Sequence, residues 1–143
     1  MSYCTLDDLT RKADERALIE LTDTTGSGQV DAVTVERAIR DASAVVDSFA
    51  GKHYKAPFNP VPHAVADAAC SLAIRALHRF RGLSSPTWEK AGEEAMAFLE
   101  KLSEGKIALD GAVQKPAPSD DASSTLTFTG PARVFSRDLL KGM

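Results

Sequence analysis

The chain has 143 residues, 43% of them hydrophobic, which suits one domain with a real core plus a tail and is too short for two domains. Its 17 basic and 20 acidic residues leave a net charge of -3, which excludes a large basic field for nucleic acid and a block-acidic tail. Cys4 and Cys70 are the only cysteines, without a paired framework or C-x-x-C spacing, so a reducing cytosol is expected and a disulfide is not. The opening MSYCTLDDL lacks a basic segment followed by an apolar run, and no stretch approaches the roughly 20 apolar residues of a membrane span. A soluble, unprocessed protein with no membrane partner is the expectation.

Taken in chain order, Thr5 opens a short first helix, since Thr5 and Asp8 have capping-box spacing and the early acids suit the helix dipole. Asp14 caps a second, in which Ala17, Leu18 and Leu21 repeat at helical spacing. The stretch DTTGSGQVD, residues 23–31, then resembles part of a calcium loop. It offers Asp23, Thr25, Ser27, Gly28 and Val30 where an EF-hand has positions 1, 3, 5, 6 and 8, but places Thr34 at position 12, where a bidentate glutamate is required. A connector whose Asp31 caps the next helix is the reading adopted.

From Asp31 onward Val35, Ala38, Ile39, Ala42, Val45, Val46 and Phe49 fall on one stripe, which predicts a long amphipathic helix weakened at Gly51 and ended by Pro57. Residues 56–62 form a Pro-rich stiff connector, with Pro62 as the first residue of the next helix. That helix, over 63–80, is apolar on nearly every side through Ala64, Val65, Ala66, Ala68, Ala69, Cys70, Leu72, Ala73, Ile74, Ala76 and Leu77, and is expected to be central, with Gly82 as its terminator. Ser85 and Pro86 open a last long helix buried through Trp88, Ala91, Ala95, Phe98, Leu99 and Leu102, ending before Gly105. Three long and two short helices make an all-α bundle over residues 1–109.

Residues 110–124, rich in Pro, Ser, Ala and Asp, read as an extended linker. Beyond them TLTFTG, residues 125–130, alternates like a short strand, and residues 131–140 add further large apolar groups. Leu126, Phe128, Arg133, Val134, Phe135, Arg137, Leu139 and Leu140 are the candidate partner-binding residues of a docking tail spanning 125–143. Clustered apolar groups mark a binding surface, and a flexible linker gives them reach to a neighbouring chain or partner.

No catalytic or cofactor constellation emerges. His63, Asp67 and Cys70 share one helix face by their spacing, but a helix-start histidine, a small core thiol and the lack of a second ligand pair argue against a metal. Gly26 and Gly28 precede no Gly-Lys-Ser/Thr, and Ser84 and Ser85 lack G-x-S-x-G flanks. Lys52, His53, Lys55, Arg75, His78, Arg79 and Arg81 would reach nucleic-acid phosphates only if the two helix ends that carry them meet. No enzyme and no cofactor are expected.

Four strings in this order resemble a known family: YCTLDDL at 3–9, LIELTD at 18–23, AIRDASAVVDSFAGKHY at 38–54 and PARVFSRD at 131–138. The family is that of small Mu-like tailed-bacteriophage proteins placed among head-tail joining proteins and long catalogued as a domain of unknown function. The resemblance implies a structural adaptor that forms a ring of about a dozen copies beneath the portal protein. It implies a downstream connector or tail protein as second partner, DNA only as passing cargo, and a place at the virion head-tail interface after assembly in the host cytoplasm. The polar loop 24–29 and the linker depart from the family's pattern. The alternative is a small helical nucleic-acid-binding or regulatory module of phage origin.

Overall fold

The computed structural model describes residues 2–116, which form an all-α bundle of three long and two short helices. In chain order these are α1 (Leu6–Lys12), α2 (Glu15–Thr22), α3 (Ala32–Ala50), α4 (His63–Arg81) and α5 (Pro86–Ser103). The N-terminal signals act locally and are met where the geometry permits. In α1 the Thr5 hydroxyl accepts from the Asp8 N–H at 3.3 Å while the Asp8 carboxylate accepts from the Thr5 N–H at 2.9 Å, closing the capping box. Asp31 caps α3 by accepting from the Val33 N–H at 3.1 Å. Asp14 occupies the N-cap of α2 without a side-chain bond, so the position is right and the interaction is absent.

Two boundaries differ from expectation. Helix α3 ends at Ala50, with Gly51 as its C-cap and a turn that returns the His53 N–H to the Ala50 carbonyl at 3.1 Å; it never runs on toward Pro57. Pro62 is the N-cap of α4 and not its first residue, its extended backbone (ψ 142°) leading the chain into the helix at His63. At the other end Gly82 adopts φ 72°, a left-handed conformation that suits glycine, and directs the Leu83 N–H to the His78 carbonyl at 2.9 Å.

Helix α4 is the centre of the bundle, packed against α1, α2, α3 and α5. Val65, Ala69, Ala73 and Ile74 are fully inaccessible, and the alanines let the neighbouring helices approach closely. Ala64 and Ala76, expected inside, lie at the surface. On α3 the stripe is also rotated: Ser43 is buried, accepting from the Tyr3 N–H at 3.0 Å, while Val45 is 37% exposed. A polar residue goes inside there because the incoming N-terminal strand of chain needs an acceptor.

An aromatic cluster fastens three distant segments. Phe58, in the α3–α4 connector, is 2% exposed, with ring centroids 5.7 Å from Tyr3 and 5.9 Å from Tyr54. The Tyr3 hydroxyl donates to the Asp47 carboxylate and accepts from the Phe58 N–H at 3.3 Å. The Tyr54 hydroxyl accepts from the Leu109 N–H at 2.9 Å, beyond the end of α5. From there residues 110–116 of the stretch expected as linker run beside the connector, with Lys55 N–H to Val113 carbonyl and Lys115 N–H to His53 carbonyl both at 2.8 Å. The rest of that stretch, 117–124, lies outside the described residues.

Replacing Tyr3 by Phe removes one buried donor and leaves the Phe58 N–H without its acceptor, so urea unfolding should register a loss of about 1–3 kcal/mol. Phe58→Ala, which empties the middle of the cluster, is expected to cost about 3–5 kcal/mol in the same assay. Burial, then the hydrogen bond to Asp47, pushes the Tyr3 hydroxyl up to about 12. Its contribution is therefore present below the ordinary tyrosine value near 10 and is lost as pH rises toward 12; Tyr3→Phe should flatten that part of the stability profile.

Candidate interaction surface

In the loop after α2 the Asp23 carboxylate is engaged by its own backbone. Asp23 Oδ1 accepts from the N–H groups of Thr25, Gly26 and Ser27 at 3.2, 2.8 and 3.0 Å, and Oδ2 accepts from Gly28 at 2.8 Å. Gly26 and Gly28, with φ 79° and 73°, supply the left-handed turns that aim these donors inward. The carboxylate thus organises its own loop. Asp31 is also committed, to the Val33 N–H and to the Thr34 hydroxyl at 2.6 Å.

The Gly28 N–H foremost, with those of Ser27, Gly26 and Thr25, holds the Asp23 carboxyl down at about 2. A depressed carboxylate stabilises above its ordinary value of 3.8 and loses that effect as pH falls through 2. Carbon-detected NMR should therefore place the Asp23 midpoint near 2. Asp23→Ala should abolish hydrogen-exchange protection at Gly26 and Gly28 while leaving the amides of α4 unchanged.

His63, Asp67 and Cys70 do line one shallow concavity, together with Asp8, Arg11 and Lys12. The Lys12 ammonium occupies its acidic side, donating to the Asp67 carboxylate at 2.5 Å and to the Ser71 hydroxyl at 2.8 Å. Cys70 is buried beside Cys4, whose thiol is pushed up by its hydrogen bond to Cys70 and by burial. Among the described residues no three His, Cys, Asp or Glu side chains are grouped to hold a metal ion.

The two basic groups do not meet. Helices α3 and α4 run antiparallel, bringing Val33–Asp41 alongside Ala76–Phe80, so Lys52, His53 and Lys55 sit near the start of α4 and Arg75–Arg81 at its end. At a rise of about 1.5 Å per residue that is a separation on the order of 20 Å or more. Several of these side chains are also engaged: Arg79 with Glu89 at 3.2 Å, Arg81 with the Asp23 carbonyl at 3.3 Å, His53 with the Ser103 carbonyl at 2.8 Å, and His78 stacked on Trp88. Arg75 lies across Gly92, where any Cβ would stand 2.3 Å from its Cδ.

All eight candidate docking residues, Leu126, Phe128, Arg133, Val134, Phe135, Arg137, Leu139 and Leu140, lie outside the described residues. Within them the conspicuous surface is a groove of about 450 Å³ between α3 and α4, lined by Val33, Arg37, Asp41, Ala76, Leu77 and Phe80. Val33 is 75% and Phe80 61% exposed, and Leu83 follows just beyond. Helical spacing sets Val33 apart from the buried stripe, and Phe80 stands between two arginines; these are the signals in the chain that mark the groove. No helix among the described residues is long and apolar enough to cross a membrane.

With the bundle and its surfaces defined, comparison with known proteins identifies the lineage. Gene product J of Escherichia phage Mu is 28% identical over 140 residues, covering 96% of each chain. The Mu-like prophage FluMu protein gp36 of Haemophilus influenzae is 26% identical over 113 residues, covering 79% of this chain and 77% of that protein. The family described as Bacteriophage Mu, Gp36 matches residues 3–127, the whole helical bundle and beyond, and the chain belongs to this family of Mu-like phage proteins.

Proposed function

We propose that the protein is a non-catalytic component of phage virion assembly, an adaptor that forms a ring beneath the portal and completes the head for tail attachment. The observation that carries this reading is the end-to-end match to a phage Mu protein, spanning bundle and linker alike. The architecture is compatible with it: Asp23 is engaged by the N–H groups of its own loop, Lys12 is paired with Asp67, and the α3–α4 groove turns exposed Val33 and Phe80 outward. In this role the bundle packs beside its neighbours, and the tail beyond the linker, through Phe128, Val134, Phe135 and Leu139, crosses to an adjacent copy or to the portal. Arg133 and Arg137 pair with acidic groups there. DNA passes through the ring without a dedicated contact, and the separation of the two basic groups along α4 leaves the nucleic-acid reading without a continuous surface.

The test is to mix the purified chain with the portal encoded in the same genome neighbourhood and follow the mixture by size-exclusion light scattering and negative-stain microscopy. A ring-shaped extension of the portal is expected, and no association by a folded chain would reject the adaptor role. Deleting residues 125–143 should keep the helical circular dichroism and weaken assembly; undiminished portal binding would remove the tail from the interface.

A further inference from the structure

The outer side of α3 presents four exposed residues at steps of four: Val33, Arg37, Asp41 and Val45. They form one ridge of the helix surface, turned away from the buried stripe of Val35, Ile39, Ala42 and Val46. Arg37 and Asp41 are spaced to pair with each other, yet neither is in an ion pair with any described residue. The order along the ridge is apolar, cation, anion, apolar. Turned end to end, that order is its own complement.

We propose that α3 is a self-association face through which two copies of this chain pair antiparallel. A two-fold axis level with Ile39 sets Val33 opposite the partner's Val45 and Arg37 opposite the partner's Asp41, and symmetry makes each contact twice. Phe80 and Ala76, across the α3–α4 groove from Val33, extend the seat for the partner's Val45. Thr34 and Ala44, also symmetric about Ile39, are small enough to let the helices approach. Parallel pairing in the same register would oppose Arg37 to its own copy and Asp41 to its own copy, so charge selects the antiparallel arrangement. One helix pair with a flanking aromatic is a small interface, below about 1,200 Å², which corresponds to a reversible monomer–dimer equilibrium.

A two-fold contact closes at two copies and does not propagate into a ring, so the pairing concerns the free protein and is independent of the adaptor reading. The experiment uses the full chain without portal, by sedimentation equilibrium from micromolar to near-millimolar concentration, with circular dichroism to verify each variant's fold. The wild type is expected to dimerise with increasing concentration. Arg37→Asp and Asp41→Arg should each weaken dimerisation about tenfold or more, by opposing like charges twice. The double variant, which exchanges the two charges, should return it to near the wild-type value, while Val33→Asp should abolish it. A wild type that stays monomeric throughout overturns the proposal. So do single variants that associate as the wild type does, or a folded double variant that fails to recover.

Discussion

The burial of Phe58 is the constraint on which the described structure depends. It lies in a connector, where backbone polar groups ordinarily face water, and it is buried between Tyr54 of the same connector and Tyr3 of the N-terminal segment. Each tyrosine couples apolar packing to a hydrogen bond at its hydroxyl, Tyr3 to Asp47 and the Phe58 N–H, Tyr54 to the Leu109 N–H. Packing and polar satisfaction therefore hold together the N-terminus, the turn between the long helices and the chain leaving α5. Loss of one ring exposes both a cavity and an unsatisfied backbone group.

Around that fastening, α4 dictates the arrangement of the bundle. A helix apolar on most sides must be covered on most sides, and the two short helices exist to finish a cover that α3 and α5 begin. Lys12 shows how the cover is joined: its stem leaves the last turn of α1 and its ammonium reaches Asp67 and Ser71 of α4. Gly92 plays the opposite part on α5, leaving the space through which Arg75 passes. Both features specify how helices meet, and neither makes a chemical site.

The distribution of charge separates structural from recognition surfaces. Asp8, Asp23 and Asp31 are spent on N–H groups of their own segments, and Glu89 and Asp67 are held by Arg79 and Lys12. Arg37 and Asp41, like Glu36 and Arg40, are in no ion pair with a described residue, and they line the α3–α4 groove. In a family of phage proteins whose proposed work is assembly, a pair of opposite charges without an ion-pair partner among the described residues, beside exposed Val33 and Phe80, is the kind of surface that selects a partner by register as well as by area.

The five helices, most of their caps and the central place of α4 are legible in the chain, because helical periodicity and capping are written within a few residues of one another. It also carried the family resemblance, since strings in fixed order need no coordinates. It did not reveal that α3 stops at Ala50, that Ser43 is inside and Val45 outside, or that Tyr3, Tyr54 and Phe58 form one cluster. The burial of Ser43 and the place of Tyr3 in the cluster depend on groups 40 to 55 residues apart meeting, as in Tyr3 with Ser43 and with Phe58. The Asp23 loop marks the boundary between the two kinds of information. Its ligand-like spacing was visible in the chain, but only the backbone path through Gly26 and Gly28 brought four N–H groups onto the carboxylate, because a side chain's partners are fixed by what converges on it.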